Sequence, residues 1–193
     1  MAVQGYAGTS VTELCERADV VRPVLYSHFG SKEGLLAAVV EHVGNAIVDT
    51  LRSNFESHDP SIDGQERLNR VLATYRSFIV ERPERLRLLL LITLERGESS
   101  PEVRSAMRRY QEYAVQSIVE SVEEVVGMPL PDLDLLAVTV ISVLQNALIR
   151  RVFDPDGDYL ERLWDEVAQT VRSGVVHRIK RLQKQGSTPP PNA

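Results

Sequence analysis

The sequence has a single cysteine, Cys15, so no disulfide can close within the chain and no cysteine-rich zinc site can form. It has no P-loop, no nucleophile elbow and no H-E-x-x-H pair, and the Glu-x-x-His motifs that a di-iron bundle requires are missing too. These absences exclude the commonest chemistry a helical chain of this size carries. The expectation is a protein that is not an enzyme, with no catalytic residues, no metal and no cofactor. Long hydrophobic runs are also missing. The strongest block of large aliphatic residues, Leu88 to Ile92, falls far short of a membrane span. The first thirty positions carry Glu13, Glu16, Arg17, Asp19 and Arg22, so they do not read as a signal peptide. A soluble, cytoplasmic protein with no membrane partner is expected. Basic residues are in deficit, 22 Lys and Arg against 27 Asp and Glu, for a net charge of −5. That argues against a protein that coats nucleic acid along its whole surface, but leaves room for a small contact face on an acidic body.

What remains is ordinary globular material, 193 residues with 43% hydrophobic and 25% charged. The periodicity is helical almost throughout, and no segment alternates long enough for a sheet. The pattern predicts short helices over 10–18 and 21–29, then longer ones over 32–56, 65–81, 84–96, 101–126, 132–153 and 158–184. Glycine and proline fall between these segments. The fold class is therefore all-α. The predicted division is an N-terminal domain over 1–50, a helical body over 51–185 and a disordered tail over 186–193, whose GSTPPPNA composition cannot pack.

The informative stretch is SVTELCERADVVRPVLYSHF, residues 10–29. Ser10 can cap the first helix, with Glu13 closing an S-x-x-E capping box. Pro23 sits in the first turn of the second helix, where its missing N–H costs nothing. Two short helices joined by a tight turn make a helix-turn-helix, in which the second helix lies in the major groove of DNA and the first braces it. Leu14, Ala18, Val20, Leu25 and Phe29 are predicted to hold the crossing together. Arg22, Ser27 and His28 fall on the polar side, with the Tyr26 hydroxyl at its edge, and Lys32 opens the next helix, where its charge and the backbone N–H groups can grip a phosphate.

From Thr9 to His42 the sequence resembles the DNA-binding end of the TetR family of one-component transcriptional regulators. The matching residues are Thr9, Val11, Leu14, Ala18 and Val20, then Leu25-Tyr26-Ser27-His28-Phe29, then Ser31-Lys32-Glu33 and Leu35-Leu36. The resemblance implies an N-terminal helix-turn-helix domain followed by a helical ligand-binding and dimerisation domain. It implies a regulator, usually a repressor, that a small molecule releases from operator DNA. It also implies DNA contacts from Thr12, Arg22, Pro23, Tyr26, Ser27, His28 and Lys32. Arg22 is the residue suited to reading a base edge, because arginine can bond guanine in two places.

Four departures from the family pattern matter. Asp19 replaces the turn glycine, Val21 stands where a capping Ser or Thr is usual, and Cys15 replaces a small alanine. The family also carries a helix ahead of Gly5-Tyr6, where this sequence has only MAVQGYAG before the motif. Residues 1–50 hold Arg17, Arg22 and Lys32 against Glu13, Glu16, Asp19, Glu33, Glu41 and Asp49, a poor balance for phosphate binding. The alternative reading is thus a helical dimer of the same fold that has lost DNA binding along with its first helix.

In the body, Tyr75, Phe78, Met107, Tyr110, Tyr113, Gln145 and Asn146 are candidate lining for an effector cavity, since buried amides need partners. The segment 132–153 is apolar all round its axis, which predicts burial on all sides. One side is expected to meet its own core and the other a second subunit, in a four-helix interface with 158–184. The residues assigned to that interface are Leu144, Leu148, Leu163, Trp164, Val167 and Val171. The basic run Arg172, Arg178, Lys180, Arg181 and Lys184 reads as a solvated helix end.

Overall fold

The structure is a computed structural model that describes residues 10–53, 63–76, 83–153 and 159–186. Every regular element among the described residues is a helix: α1 (Val11–Ala18), α2 (Arg22–Phe29), α3 (Lys32–Ser53), α4 (Gly64–Arg76), α5 (Glu84–Arg96), α6 (Pro101–Val126), α7 (Leu133–Phe153) and α8 (Tyr159–Gly186). The starts of α5 and α6 and their ends follow the punctuation of Pro83, Gly97, Ser100-Pro101 and Gly127. Ser100 is buried, and its hydroxyl accepts from the Val103 N–H at 3.2 Å, capping α6. Gly127 closes α6 at φ +77, a left-handed conformation that glycine adopts without steric cost. The expected extension of the third segment to 56 and of the fourth to 81, and the expected 186–193 tail beyond Gly186, lie outside the described residues.

The chain packs as two units. The first comprises 1–53 and 82–114, so it holds α1, α2, α3, α5 and the first half of α6. Its core includes Leu36, Val40, Ile47 and Val48 of α3, Leu89 and Ile92 of α5, and Val103, Met107 and Tyr110 of α6. A boundary near residue 50 therefore does not describe the packing. α3 is long, and only its first turns serve the helix-turn-helix, while the rest is buried by α5 and α6. Gly44 lies so close to α6 that a Cβ there would stand 2.5 Å from the Tyr110 ring. Along the same seam Glu41 pairs with Arg109, and the Tyr113 hydroxyl donates to Asp49 at 2.8 Å.

The second unit comprises 54–81 and 115–193, with α4, the second half of α6, α7 and α8. Its core is the α7–α8 pair, where Leu133, Ala137, Leu144, Ala147 and Leu148 meet Trp164, Val167, Ala168, Val171 and Val175. Gly174 permits this approach, since a Cβ there would lie 2.9 Å from a Leu136 methyl. The run expected to be a solvated helix end is partly structural. Arg178 donates to the Pro131 carbonyl at 2.9 Å and the Asp132 carbonyl at 2.7 Å, and Arg181 pairs with the Asp132 carboxylate at 3.1 Å. These bonds hold the start of α7, where Asp132 has φ +56, to the last turns of α8.

Five of the six residues assigned to a dimer interface are buried within the chain itself: Leu144, Leu148, Trp164, Val167 and Val171; Leu163 is half-buried. They form the intrachain α7–α8 seam, so they are not the surface that a second copy would meet. The uncovered side of α7 carries Leu135, 61% exposed, with Val138 and Ile149. Helical geometry places Thr139, Ser142 and Asn146 on that same face, and all three are exposed. By length and composition α7 is apolar enough to cross a membrane, over Leu133–Arg150. Unbroken runs do not reveal this, because its apolar residues are interrupted by Thr, Ser, Gln and Asn.

Candidate nucleic-acid interface

The helix-turn-helix is assembled by local chemistry. Ser10 adopts an extended backbone, and its hydroxyl accepts from the Glu13 N–H at 3.0 Å. The expected capping box is only half made. The Glu13 carboxylate turns forward to Arg17 at 3.0 Å, one helical turn on, so an i,i+4 ion pair takes the place of the return bond. α1 ends at Asp19, which occupies the left-handed region at φ 53, ψ 44. The Val20 N–H then closes onto the Cys15 carbonyl at 3.0 Å. Aspartate thus fills the place of the missing turn glycine, as its short polar side chain allows.

α2 begins at Val21 with an extended backbone and no side-chain cap. Pro23 lies in its first turn, and Gly30 ends it at φ +72 with its N–H on the Tyr26 carbonyl at 2.9 Å. Ser31 caps the next helix by accepting from the Gly34 N–H at 2.9 Å. The turn between α2 and α3 is so tight that a Cβ on Gly34 would collide with the Phe29 carbonyl. No sequence motif had singled out Gly34, although its place in S-K-E-G-L-L was visible.

Cys15 and Leu25 are the buried centre of the crossing, with Leu14 and Phe29 half-buried. Ala18 and Val20, also expected there, are exposed. The left-handed turn at Asp19 carries the chain away just where their side chains would have to point inward. Cys15, a small hydrophobe on α1, occupies the space.

Thr12, Arg22, Pro23, Tyr26, Ser27 and His28 are all exposed, and Lys32 is half-buried at the first position of α3. Arg22 donates to the Thr12 hydroxyl, tying the start of α2 to α1. Ser27 donates back to the Val24 carbonyl at 2.9 Å. The His28 and Phe29 rings meet edge to face with centroids 5.3 Å apart. Among the described residues no group of three or more His, Cys, Asp or Glu stands close enough to hold a metal.

The expected effector residues are divided between the units. Met107 and Tyr110 are buried in the first, and burial pushes the Tyr110 hydroxyl up to about 12. Tyr113 is half-buried there; its pKa is raised, first by its hydrogen bond to Asp49. In the second unit Tyr75 and Gln145 are half-buried and Asn146 is exposed. Phe78 lies outside the described residues.

Residues 1–39 match the family model for bacterial regulatory proteins of the tetR family. That segment, about a fifth of the chain, carries the similarity to the family. The family match takes in the whole helix-turn-helix and the cap of α3. A curated relative, the HTH-type transcriptional activator FasR of Mycolicibacterium smegmatis, is 33% identical over 87 residues, which is 45% of this chain and 38% of FasR. The chain thus matches well under half of that relative's length. Among solved structures, a TetR transcriptional regulator from Legionella pneumophila superposes with a TM-score of 0.67 at 18% identity, covering 87% of this chain and 90% of the other. The reduced form of E. coli NemR gives 0.68 at 19%, covering 86% and 88%. FadR from Bacillus subtilis, in complex with stearoyl-CoA, gives 0.60 at 16%, covering 90% and 92%. At these identities the superpositions establish the fold: an N-terminal helix-turn-helix on an all-helical body.

Proposed function

We propose that the chain is a DNA-binding transcriptional regulator that works as a homodimer and is switched by a small molecule bound in its helical body. The observation that carries this reading is the outward side of α2. It is an exposed face on a helix braced by α1 through Cys15 and Leu25, within the segment that matches the family. A helix so held can enter a major groove while Lys32, at the start of α3, meets the adjacent phosphate. Arg22 is the candidate base reader, oriented by Thr12, and Tyr26, Ser27 and His28 flank it.

The proposed dimer face is the uncovered side of α7. Burying Leu135, Val138 and Ile149 against a second copy would remove an apolar, charge-free strip from water. The Thr139 and Ser142 hydroxyls donate to their own helix carbonyls at 2.8 Å, so burial would strand neither of them, and the Asn146 amide on the same face would take its partner from the second copy. The acyl-CoA held by FadR on this fold supports a small organic effector for the helical body. Release from an operator follows if the effector favours a dimer shape that mis-spaces the two recognition helices. The relative FasR is named an activator, so the same contacts serve either sign of regulation. The intact motif favours this reading over that of a dimer without DNA binding.

Selection of bound duplexes from a randomised pool tests it. An enriched inverted repeat, with half-sites about one helical turn apart, is the expected result of a two-fold dimer. Recovery of no sequence above background would refute the function.

A further inference from the structure

Base reading by hydrogen bonds needs side-chain donors and acceptors on the helix face that enters the groove. The centre of that face on α2 offers few. Taking the buried Leu25 as the inward direction, steps of about 100° per residue place Pro23 and Ser27 on the opposite side, with Val24 and Tyr26 at its two shoulders and Arg22 and His28 nearer the buried side. Val24 is 54% exposed, and Val21, at the cap position, is 64% exposed. Pro23 has no N–H to give. The Ser27 hydroxyl proton is committed to the Val24 carbonyl at 2.9 Å, and Arg22 directs a guanidinium N–H to Thr12. Neither valine meets the needs of the fold. The cap position would be better served by a hydroxyl or carboxylate, and Val24 contributes little to the crossing that Cys15 and Leu25 fill.

An exposed apolar patch on a groove-facing helix, here Pro23 with Val24 and Val21 beside it, has a natural counterpart in duplex DNA. Among the four bases only thymine presents a methyl group, on C5, in the major groove. We infer that Val24, assisted by Val21, reads thymine C5-methyl groups, so that the half-site is specified at those positions by methyl contact and not by hydrogen bonding. The inference rests on the DNA-binding function proposed above and goes beyond it by assigning the chemistry recognised and the residues that recognise it. Arg22 and Tyr26 would then read or position at neighbouring base pairs.

The test uses the full 193-residue chain and a duplex recovered by selection. Each thymine is replaced in turn by uracil, which pairs identically and lacks only the methyl. At the contacted positions affinity should fall about fourfold per methyl, the loss expected for a buried methyl-sized group (about 0.8 kcal/mol). Val24→Ala should abolish that sensitivity at its own position and leave it at other thymines. The substitution replaces an exposed β-branched residue with a better helix former, so thermal unfolding should show a folded protein. Uracil tolerated at every position would overturn the inference while leaving DNA binding standing, and so would a uracil penalty unchanged in both Val24→Ala and Val21→Ala. Failure to bind any duplex would overturn the function and this inference together.

Discussion

Asp19 and Val21 flank the turn of the helix-turn-helix, and each is locally unfavourable. A non-glycine residue at φ 53 carries a steric cost, partly relieved for aspartate. α2 has no side-chain cap, and the Val24 N–H, which a cap hydroxyl would accept, is held only by a tight i,i+3 bond to the Val21 carbonyl at 3.0 Å. Asp19→Gly should therefore raise the stability of the first unit by up to about 1 kcal/mol, and Val21→Ser by about 1 kcal/mol. Thermal melting would show both as higher midpoints. Gly34→Ala should do the opposite and lower the midpoint, because the Phe29 carbonyl has nowhere to retreat. Tyr110 gives a pH signature. Its raised pKa means the neutral form is favoured on folding, so stability is complete below about pH 10, the ordinary tyrosine range, and is lost as pH climbs towards 12. Tyr110→Phe should flatten that alkaline loss, measured as the denaturation midpoint between pH 9 and about 11.5.

At the scale of elements, α7 decides how the second unit and any dimer relate. Both its sides carry large apolar residues, but one is buried against α8 and the other, which also holds Thr139, Ser142 and Asn146, is not. Leu144→Ala should cost about 2–5 kcal/mol of unfolding free energy by opening a cavity in that seam. Val138→Arg, on the uncovered face, should leave the fold intact and halve the mass measured by sedimentation. If Val138→Arg unfolds the chain instead, or if the unmodified chain already sediments as a monomer, the proposed dimer face is wrong. The same helix shows what was legible in the sequence. Capping residues and breakers such as Ser10, Gly30, Gly97 and Pro101 act locally, so most helix ends could be read within a residue or two. Periodicity marks an apolar face without naming what covers it. Leu144 and Leu148 were indistinguishable from Leu135 and Val138 until α8 was seen on one side. For the same reason α3 was assigned to an N-terminal domain, when its second half belongs with α5 and α6. The Glu13–Arg17 pair and the Thr12–Arg22 bond were equally hidden, being choices among several partners within reach.

For the whole molecule, the acidic balance and the basic contact set must be reconciled. With three basic residues in the first fifty, non-specific attraction to phosphate is weak, and affinity must come from a few well-placed contacts. Lys32→Ala should then weaken binding to all sequences alike and lower the salt slope by about one. The most direct test of the central claim is the affinity of the unmodified chain and of Arg22→Ala for a selected duplex and for each of its single-base variants. The account predicts that Arg22→Ala loses about 1–3 kcal/mol on the selected duplex and becomes indifferent to the base at one position, with preferences elsewhere retained. Equal affinity and an unchanged preference at every position would contradict the claim that α2 is the helix that reads DNA.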